Sequence, residues 1–399
     1  MNNKTEIIVF ILFIFILVAW NDKIIPKRLE VSDLEPVRVI GLDNNKENIL
    51  LSIVRDESTD KKEGEDGNSQ EVVSISSSNF EKALRALQNY KSKQFTGGHI
   101  KYVIIGEDMA KNNFLNAIDF IVRDVELRLT SEVFIAREMS ASDLMQNETE
   151  SIEKISDVLN NLTKNINSFS YSKEETILDI LPLLVTKNKS GLIPTLMPAG
   201  DNKYNTEWEV ESSNKKESNS VLQFAGFAIF KNSKLIDYLN LTEARAANFV
   251  NNLVSNTVIS IVGENENKNE VSLEIISSNT NFDFKFDGDM LTKIIVKNKN
   301  KSNIIQMVLQ DEELSIDLVN KFEEKLANII EKEIENVIKK SQELNADFLN
   351  FEEKLKIKHP YKYRKIKDNF ESIFKTVPIE VVVESKIERS YDFIDFERD

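Results

Sequence analysis

Hydrophobic and polar residues alternate along the first half of the chain in short blocks, with a period typical of strands in some blocks and of helices in others. A period of two predicts strands at residues 37–42 and 48–54, with a turn of polar residues between them. Ser78 and Glu81 form a capping pair at the start of a predicted helix. Further strands are predicted at residues 71–76, 101–105, 132–136 and 191–197. Further helices are predicted at residues 114–125 and 152–166. Ser172 and Glu175 are expected to cap another helix, which is interrupted at Pro182.

The second half of the chain predicts a hairpin, several strands and one long helix. Residues 224–230 and 235–239 form the hairpin, and Thr242 is expected to cap the helix that follows it. Strands are predicted at residues 258–262, 270–276, 290–297, 304–309 and 377–387, and an amphipathic helix at residues 316–348. This order predicts an α+β or mixed α/β fold, in which mixed sheets pack against helices.

A change in composition divides the chain. Residues 201–220 are rich in Asn, Ser and Lys, and we interpret them as a linker. This interpretation places an N-terminal α/β domain at residues 22–200 and a C-terminal α/β region at residues 221–395. A further division of the second region near residue 300 is left open.

An apolar stretch of 14 residues, residues 7–20, precedes these domains. As a helix it would span roughly 21 Å, which is shorter than the roughly 30 Å core of a bilayer and typical of a signal sequence. Val18 and Trp20 are too large for a signal-peptidase site, which favours small residues. We therefore interpret residues 1–21 as an uncleaved signal-anchor. A cleaved signal peptide and a buried core helix are the alternatives.

Composition and motifs argue against several classes of function. A net charge of −15 disfavours nucleic acid, because phosphates select basic surfaces. The chain has no Cys, which removes thiolate ligands and nucleophiles. Its two histidines, His99 and His359, are far apart in sequence, and we find no hydrolase, zinc or phosphate-loop motif. The sequence therefore predicts no catalytic residue, no metal site and no cofactor, and His99 is interpreted as a structural hydrogen-bonder.

Three blocks of the sequence, taken in order, resemble the Ger(x)C family. In residues 80–136 a helix leads to His99, to a strand that ends in Ile104, Ile105, Gly106 and Glu107, and to a helix tail with Asp119, Arg123, Asp124, Glu126 and Arg128. Residues 226–246 are similar to the hairpin of the family through Gly226, Ala228, Phe230, Lys234 and Leu235. The third block is the long helix that runs into Gln342, together with the strand at residues 377–387.

The resemblance implies a non-enzymatic, membrane-anchored C subunit of a nutrient germinant receptor, required for spore germination. It implies integral-membrane A- and B-type subunits as partners, and a place at the spore inner membrane with the ectodomain on the outer side. The residues that it marks as structural or partner-contact candidates are His99, Gly106, Glu107, Arg123, Arg128, Gly226 and Phe230. The family carries a lipidated Cys just before a Trp. Ala19 stands at that position here, so no lipidation is expected and the helix is expected to replace the lipid.

Two other functions stay open at this point. One is a membrane-anchored protein that binds a solute or peptidoglycan, which tight binding of a small nutrient would favour. The other is an anchored hydrolase, for which His99 is the residue whose substitution would be tested.

Overall fold

The computed structural model describes residues 8, 10–15, 34–56, 70–90, 94–149, 154–168, 170–199, 222–262, 270–308 and 315–390. The described residues 8 and 10–15 belong to helix α1, and their apolar side chains are exposed, from 45% for Ile14 to 74% for Phe15. No helix among the described residues combines the length and the hydropathy that a membrane crossing requires. The remainder of the predicted signal-anchor, including Ala19, and the predicted linker at residues 201–220 lie outside the described residues.

The first ten strands form a large mixed sheet and a small separate one. Their bounds are β1 Leu34–Pro36, β2 Val39–Asn45, β3 Asn48–Asp56, β4 Gln70–Ser77, β5 Gln94–Thr96, β6 Tyr102–Gly106, β7 Glu132–Ala136, β8 Ser190–Pro198, β9 Leu222–Lys231 and β10 Lys234–Leu239. Strands β1 and β5 pair in parallel as the small sheet. The large sheet has the order β10-β9-β8-β7-β6-β2-β3-β4, and the neighbours from β8 to β2 are parallel.

Helices cover both faces of the large sheet. Their bounds are α2 Phe80–Tyr90, α3 Glu107–Asn112, α4 Phe114–Arg123, α5 Ala141–Thr149, α6 Ile155–Lys164 and α7 Ile177–Val185. Alternate residues of the central strands face opposite ways. Val103 and Ile105 pack with α2, α3, α4 and α7, whereas Tyr102 and Ile104 pack with α5 and α6. The parallel strands are therefore buried on both sides.

A second, four-stranded sheet has the order β11-β12-β13-β14. The strands of this sheet and the helices in the same part of the chain are α8 Leu241–Val250, β11 Thr257–Val262, β12 Glu270–Asp287, β13 Met290–Val308, α9 Ile316–Glu343, α10 Phe351–Lys358, α11 Pro360–Ile366, α12 Phe370–Phe374 and β14 Ile379–Ser390. Alternating burial along β11 shows that one face of this sheet is covered. Helix α9 packs on that face through Phe322, Leu326, Ile330 and Ile334.

The hairpin β9–β10 connects the two sheets. It follows the predicted linker in sequence, yet it extends the first sheet, and Phe227 and Ile229 pack in the same core as the second sheet. The first sheet thus continues past the boundary that we placed at residues 201–220. The assignment of domains stays a prediction.

The predicted fold class, α+β with mixed sheets and packed helices, is confirmed. Several local predictions were wrong. Asn79 caps α2 instead of Ser78 with Glu81, because its side-chain oxygen accepts a hydrogen bond from the Lys82 N–H at 2.9 Å, and α7 continues through Pro182. Asn240 caps α8 instead of Thr242, and Thr176 with Asp179 caps α7 instead of Ser172 with Glu175. Asn240 with Glu243 and Thr176 with Asp179 each supply both bonds of a capping box. Helix α9 ends at Glu343 instead of near residue 348. The chain leaves the helix there because Asn345 adopts a left-handed conformation with φ of 48°. Residues 290–297 and 304–309 belong to one strand, β13.

Candidate functional site

A cleft of about 420 Å³ opens at the amino ends of strands β2, β6 and β7. Its walls come from the segments just before these strands and from the first turns of α6. We call it the His99 cleft, and it is lined by Arg38, His99, Lys101, Tyr102, Arg128 and Asp157, among others. Two of the seven family-motif residues, His99 and Arg128, therefore lie at the same site.

Packing between two sequence motifs places His99 at the cleft. Gly97 to His99 form a single 3-10 turn, and a Cβ atom on Gly97 would lie 2.9 Å from a methyl carbon of Leu127. The backbone N–H of Gly97 donates to Glu126 Oε2 at 3.3 Å. The glycine thus allows the turn to sit against the segment that carries Arg128, and both His99 and Arg128 are exposed.

The charged groups of the cleft differ in how they are paired. Arg38 lies 3.8 Å from Asp157, and Lys101 Nζ donates to the side-chain oxygen of Asn160 at 3.1 Å. Within the part of the chain that the structure describes, no side chain pairs with the imidazole of His99 or with the guanidinium of Arg128. These two groups are therefore available to a bound molecule.

Glu132 is a buried carboxylate beside the cleft, with 6% of its surface exposed. Burial raises the pKa of Glu132 from its ordinary 4.5 to about 7, and Lys101, whose Nζ is 3.9 Å from Glu132 Oε1, lowers it in part. The carboxyl therefore titrates near neutral pH in the folded chain.

We expect the Glu132→Gln variant to lose part of the pH dependence of stability. Between pH 4.5 and about 7, Glu132 binds more protons in the folded chain than in the unfolded chain. Its contribution to stability is therefore present below this range and is lost as the pH rises through it. The measurement is the denaturation midpoint by circular dichroism at about pH 5 and about pH 8. The midpoint should differ less between the two pH values in the variant than in the wild type. An equal difference in both proteins would contradict the raised pKa.

Gly106 lies at the carboxyl end of β6, where it makes room for a buried carboxylate. A Cβ atom there would overlap Asp43 Oδ1, and Asp43 accepts hydrogen bonds from the backbone N–H groups of Ala141 and Ser142 at 2.8 and 2.9 Å. Burial raises the pKa of Asp43 to about 6, and these two bonds lower it in part. Asp43 thus caps α5 from a distant strand. Glu107, the next residue of the motif, pairs with Lys111 on α3.

The other motif residues lie away from the cleft. Arg123 is exposed, forms an ion pair with Asp119 at 2.7 Å and borders a groove of about 760 Å³ between α2 and α4. Gly226 has a φ of +84°, and a side chain there would overlap the carbonyl oxygen of Leu239. Phe230 is fully buried and packs on Phe114 with ring centroids 4.4 Å apart. Gly226 and Phe230 therefore have structural roles.

Sequence reasoning missed four of the six residues named above at the cleft. Lys101 and Tyr102 follow His99 directly, so their proximity to it had a signal in the sequence. Arg38 and Asp157 had none, because exposed charged residues are common in this chain and only the sheet order brings them to the same edge.

Comparison with known proteins identifies the family. The model described as "Spore germination protein N-terminal domain" matches residues 27–197, and the model described as "Spore germination B3/ GerAC like, C-terminal" matches residues 225–391. The chain is 26% identical over 385 residues to spore germination protein KC of Bacillus subtilis (strain 168), with 90% of each chain covered. The chain belongs to this GerAC-like family of spore germination proteins, and the predicted Ger(x)C relationship is confirmed.

A solved structure shows the same fold. The crystal structure of the GerBC protein matches with a TM-score of 0.53 and 17% sequence identity, covering 88% of this chain and 97% of that chain. At this identity the match supports the architecture of mixed sheets and packed helices, without bearing on individual site residues.

Proposed function

We propose that this protein is the C subunit of a nutrient germinant receptor. The observation that carries the proposal is the match of two spore germination family models in order, over residues 27–197 and 225–391, so that most of the chain resembles one kind of subunit. The subunit is a structural or signal-passing component and works with A- and B-type integral-membrane subunits. It performs no chemistry of its own, because its sequence carries no nucleophile–base or metal-ligand motif.

We propose that residues 1–21 hold the subunit at the spore inner membrane, with the rest of the chain on the outer side. Support comes from the seven apolar side chains of Ile8 and residues 10–15, all at least 45% exposed, since contact with lipid would remove this apolar surface from water. The chain has a net charge of −15, so anionic lipid does not attract the ectodomain to the membrane surface. The ectodomain therefore faces its partner subunits.

Deletion of residues 22–399 from the chromosomal copy is expected to abolish the germination response to nutrients that act through this receptor. Germination by a calcium chelate that bypasses nutrient receptors should continue at the rate of the parent strain. The measurement is loss of optical density in purified spores after each stimulus. A copy of the full chain at a second locus is the control, and it should restore the nutrient response.

Two results would reject the receptor role. One is a normal response of the deletion strain to every nutrient that germinates the parent. The other is loss of the calcium-chelate response together with the nutrient response, which would indicate a general defect of the spore.

A further inference from the structure

The His99 cleft concentrates positive charge on an acidic chain. Arg38, His99, Lys101 and Arg128 line it, and Asp157 is the one carboxylate among the described residues at its wall, with Glu132 buried behind Lys101. Asp157 and Asn160 contact Arg38 and Lys101, respectively, whereas no described side chain pairs with the imidazole of His99 or the guanidinium of Arg128. Two groups that bind anions therefore face an open cavity without a partner.

A buried hydroxyl at the same cleft also lacks a partner. Tyr102 lines the cavity, has 1% of its surface exposed, and its hydroxyl oxygen makes no hydrogen bond to any described residue. A buried hydroxyl without a partner is unfavourable, so a ligand that reaches this oxygen from the cleft would supply the missing hydrogen bond. This observation is independent of the charges.

The first turn of α6 adds to the positive potential. Ser156 and Asp157 stand in that turn and line the cavity, and the N-terminal end of a helix carries a partial positive charge. Asp157 offsets part of this potential and holds Arg38. The lining groups without a described side-chain partner, His99 and Arg128, come from the segments before β6 and β7.

We propose that the His99 cleft binds a small molecule that bears a carboxylate or phosphate group. The planar guanidinium of Arg128 is suited to two anionic oxygens at once, with His99 as a second donor and the Tyr102 hydroxyl as a third. The volume of about 420 Å³ lies within the usual range of ligand pockets. The binding test uses the purified chain without any other subunit. Its outcome is therefore independent of the proposed receptor role.

The test is isothermal titration of the full chain in non-ionic detergent at low salt, with three probes. Inorganic phosphate and succinate represent dissolved anions, and glycerophosphoglycerol represents the headgroup of an anionic lipid. We expect saturable binding of at least one probe with a Kd of about 1 mM or lower. We also expect the affinity to fall as salt is added. The preferred probe then identifies the source of the anion.

Matched variants decide whether binding occurs at this cleft. Arg128→Gln should weaken binding about tenfold or more, because it removes a charge-assisted hydrogen bond. Tyr102→Phe should weaken binding while leaving the unfolding midpoint unchanged or higher, since its hydroxyl has no partner to lose. Arg123→Gln is the control, because Arg123 is exposed, pairs with Asp119 and lies outside the cleft.

Two results would overturn the proposal. The first is the absence of saturable binding by all three probes up to concentrations of about 10 mM, tenfold above the expected Kd. The second is equal weakening by Arg123→Gln and Arg128→Gln, which would indicate a general effect of charge.

Discussion

Replacement of Gly106 by alanine is expected to be strongly destabilising, by about 3–5 kcal/mol. The added Cβ would overlap Asp43 Oδ1 and would stand 3.1 Å from the backbone nitrogen of Ala141. Relief requires the Asp43 carboxylate, which is 3% exposed, to leave its site. The N–H groups of Ala141 and Ser142 then lose their acceptor in a buried place, and each such loss costs about 1–3 kcal/mol.

Chemical denaturation followed by circular dichroism at the helical minimum measures this effect, and the chain supplies its own control. Gly98 is another glycine in the same half of the chain. A Cβ atom there would meet only the hydroxyl oxygen of Thr96 at 3.8 Å, an ordinary contact. Gly98→Ala should therefore leave the midpoint nearly unchanged. A wild-type midpoint for Gly106→Ala would show that Asp43 does not hold α5 as described.

A double variant separates the overlap from the lost hydrogen bonds. Asp43→Ala alone removes the acceptor of the two N–H groups and should destabilise the fold. Adding Gly106→Ala to Asp43→Ala should cost little more, because the carboxylate that the new methyl group would meet is gone. Fully additive effects would indicate that the two residues act independently.

Helix α5 was not predicted, although Ser140 caps it locally, since the Ser140 Oγ accepts a hydrogen bond from the Asp143 N–H at 2.9 Å. Its apolar pattern is short, because the buried side that begins with Leu144 and Met145 continues with the buried Glu148, and its other capping residue, Asp43, is 98 positions away. Elements with a clear apolar pattern were predicted well. Strand β7 has the predicted bounds, residues 132–136, because a short apolar run between polar neighbours is sufficient evidence for a buried strand.

Strand β13 shows a different limit of pattern reasoning. Residues 298–303 are polar, so the apolar alternation predicted two strands with a gap between them. In the fold, Asn298, Asn300 and Ser302 lie on the buried face. The Asn298 amide donates to the hydroxyl oxygens of Ser278 and Thr280, each at 2.8 Å, and the Asn300 amide donates to Asn298 at 3.0 Å. Buried polar residues that bond to one another continue a strand without the apolar signal.

The candidate site was predicted only in part, for a related reason. The family motif marked His99 and Arg128 but gave no reason for them to meet. They meet because Gly97 packs against Leu127 and because Glu126 accepts a hydrogen bond from the same turn. Single residues could thus be marked from the sequence, whereas the cleft depended on the order of strands in the sheet.

The second large effect is expected at a buried ion pair between α8 and α9. Arg245 is 2% exposed and donates to both carboxylate oxygens of Glu333, at 3.2 Å from Nε and 2.6 Å from Nη2. Arg245→Met should destabilise the chain by about 3–5 kcal/mol, because the carboxylate of Glu333 would lose both hydrogen bonds to Arg245 in a mostly buried place. The readout is again the denaturation midpoint.

Two controls distinguish the lost partner from a general loss of charge or packing. Arg85 and Glu81 form an exposed pair one helical turn apart on α2, at 2.7 Å, and Arg85→Met should change stability by less than about 1 kcal/mol. The double variant Arg245→Met with Glu333→Leu should recover most of the loss, because an apolar pair of similar volume removes the buried charge of Glu333. A double variant as unstable as Arg245→Met alone would show that the loss comes from the packing of Arg245 between α8 and α9. The pairing of its charge with Glu333 would then contribute little to stability.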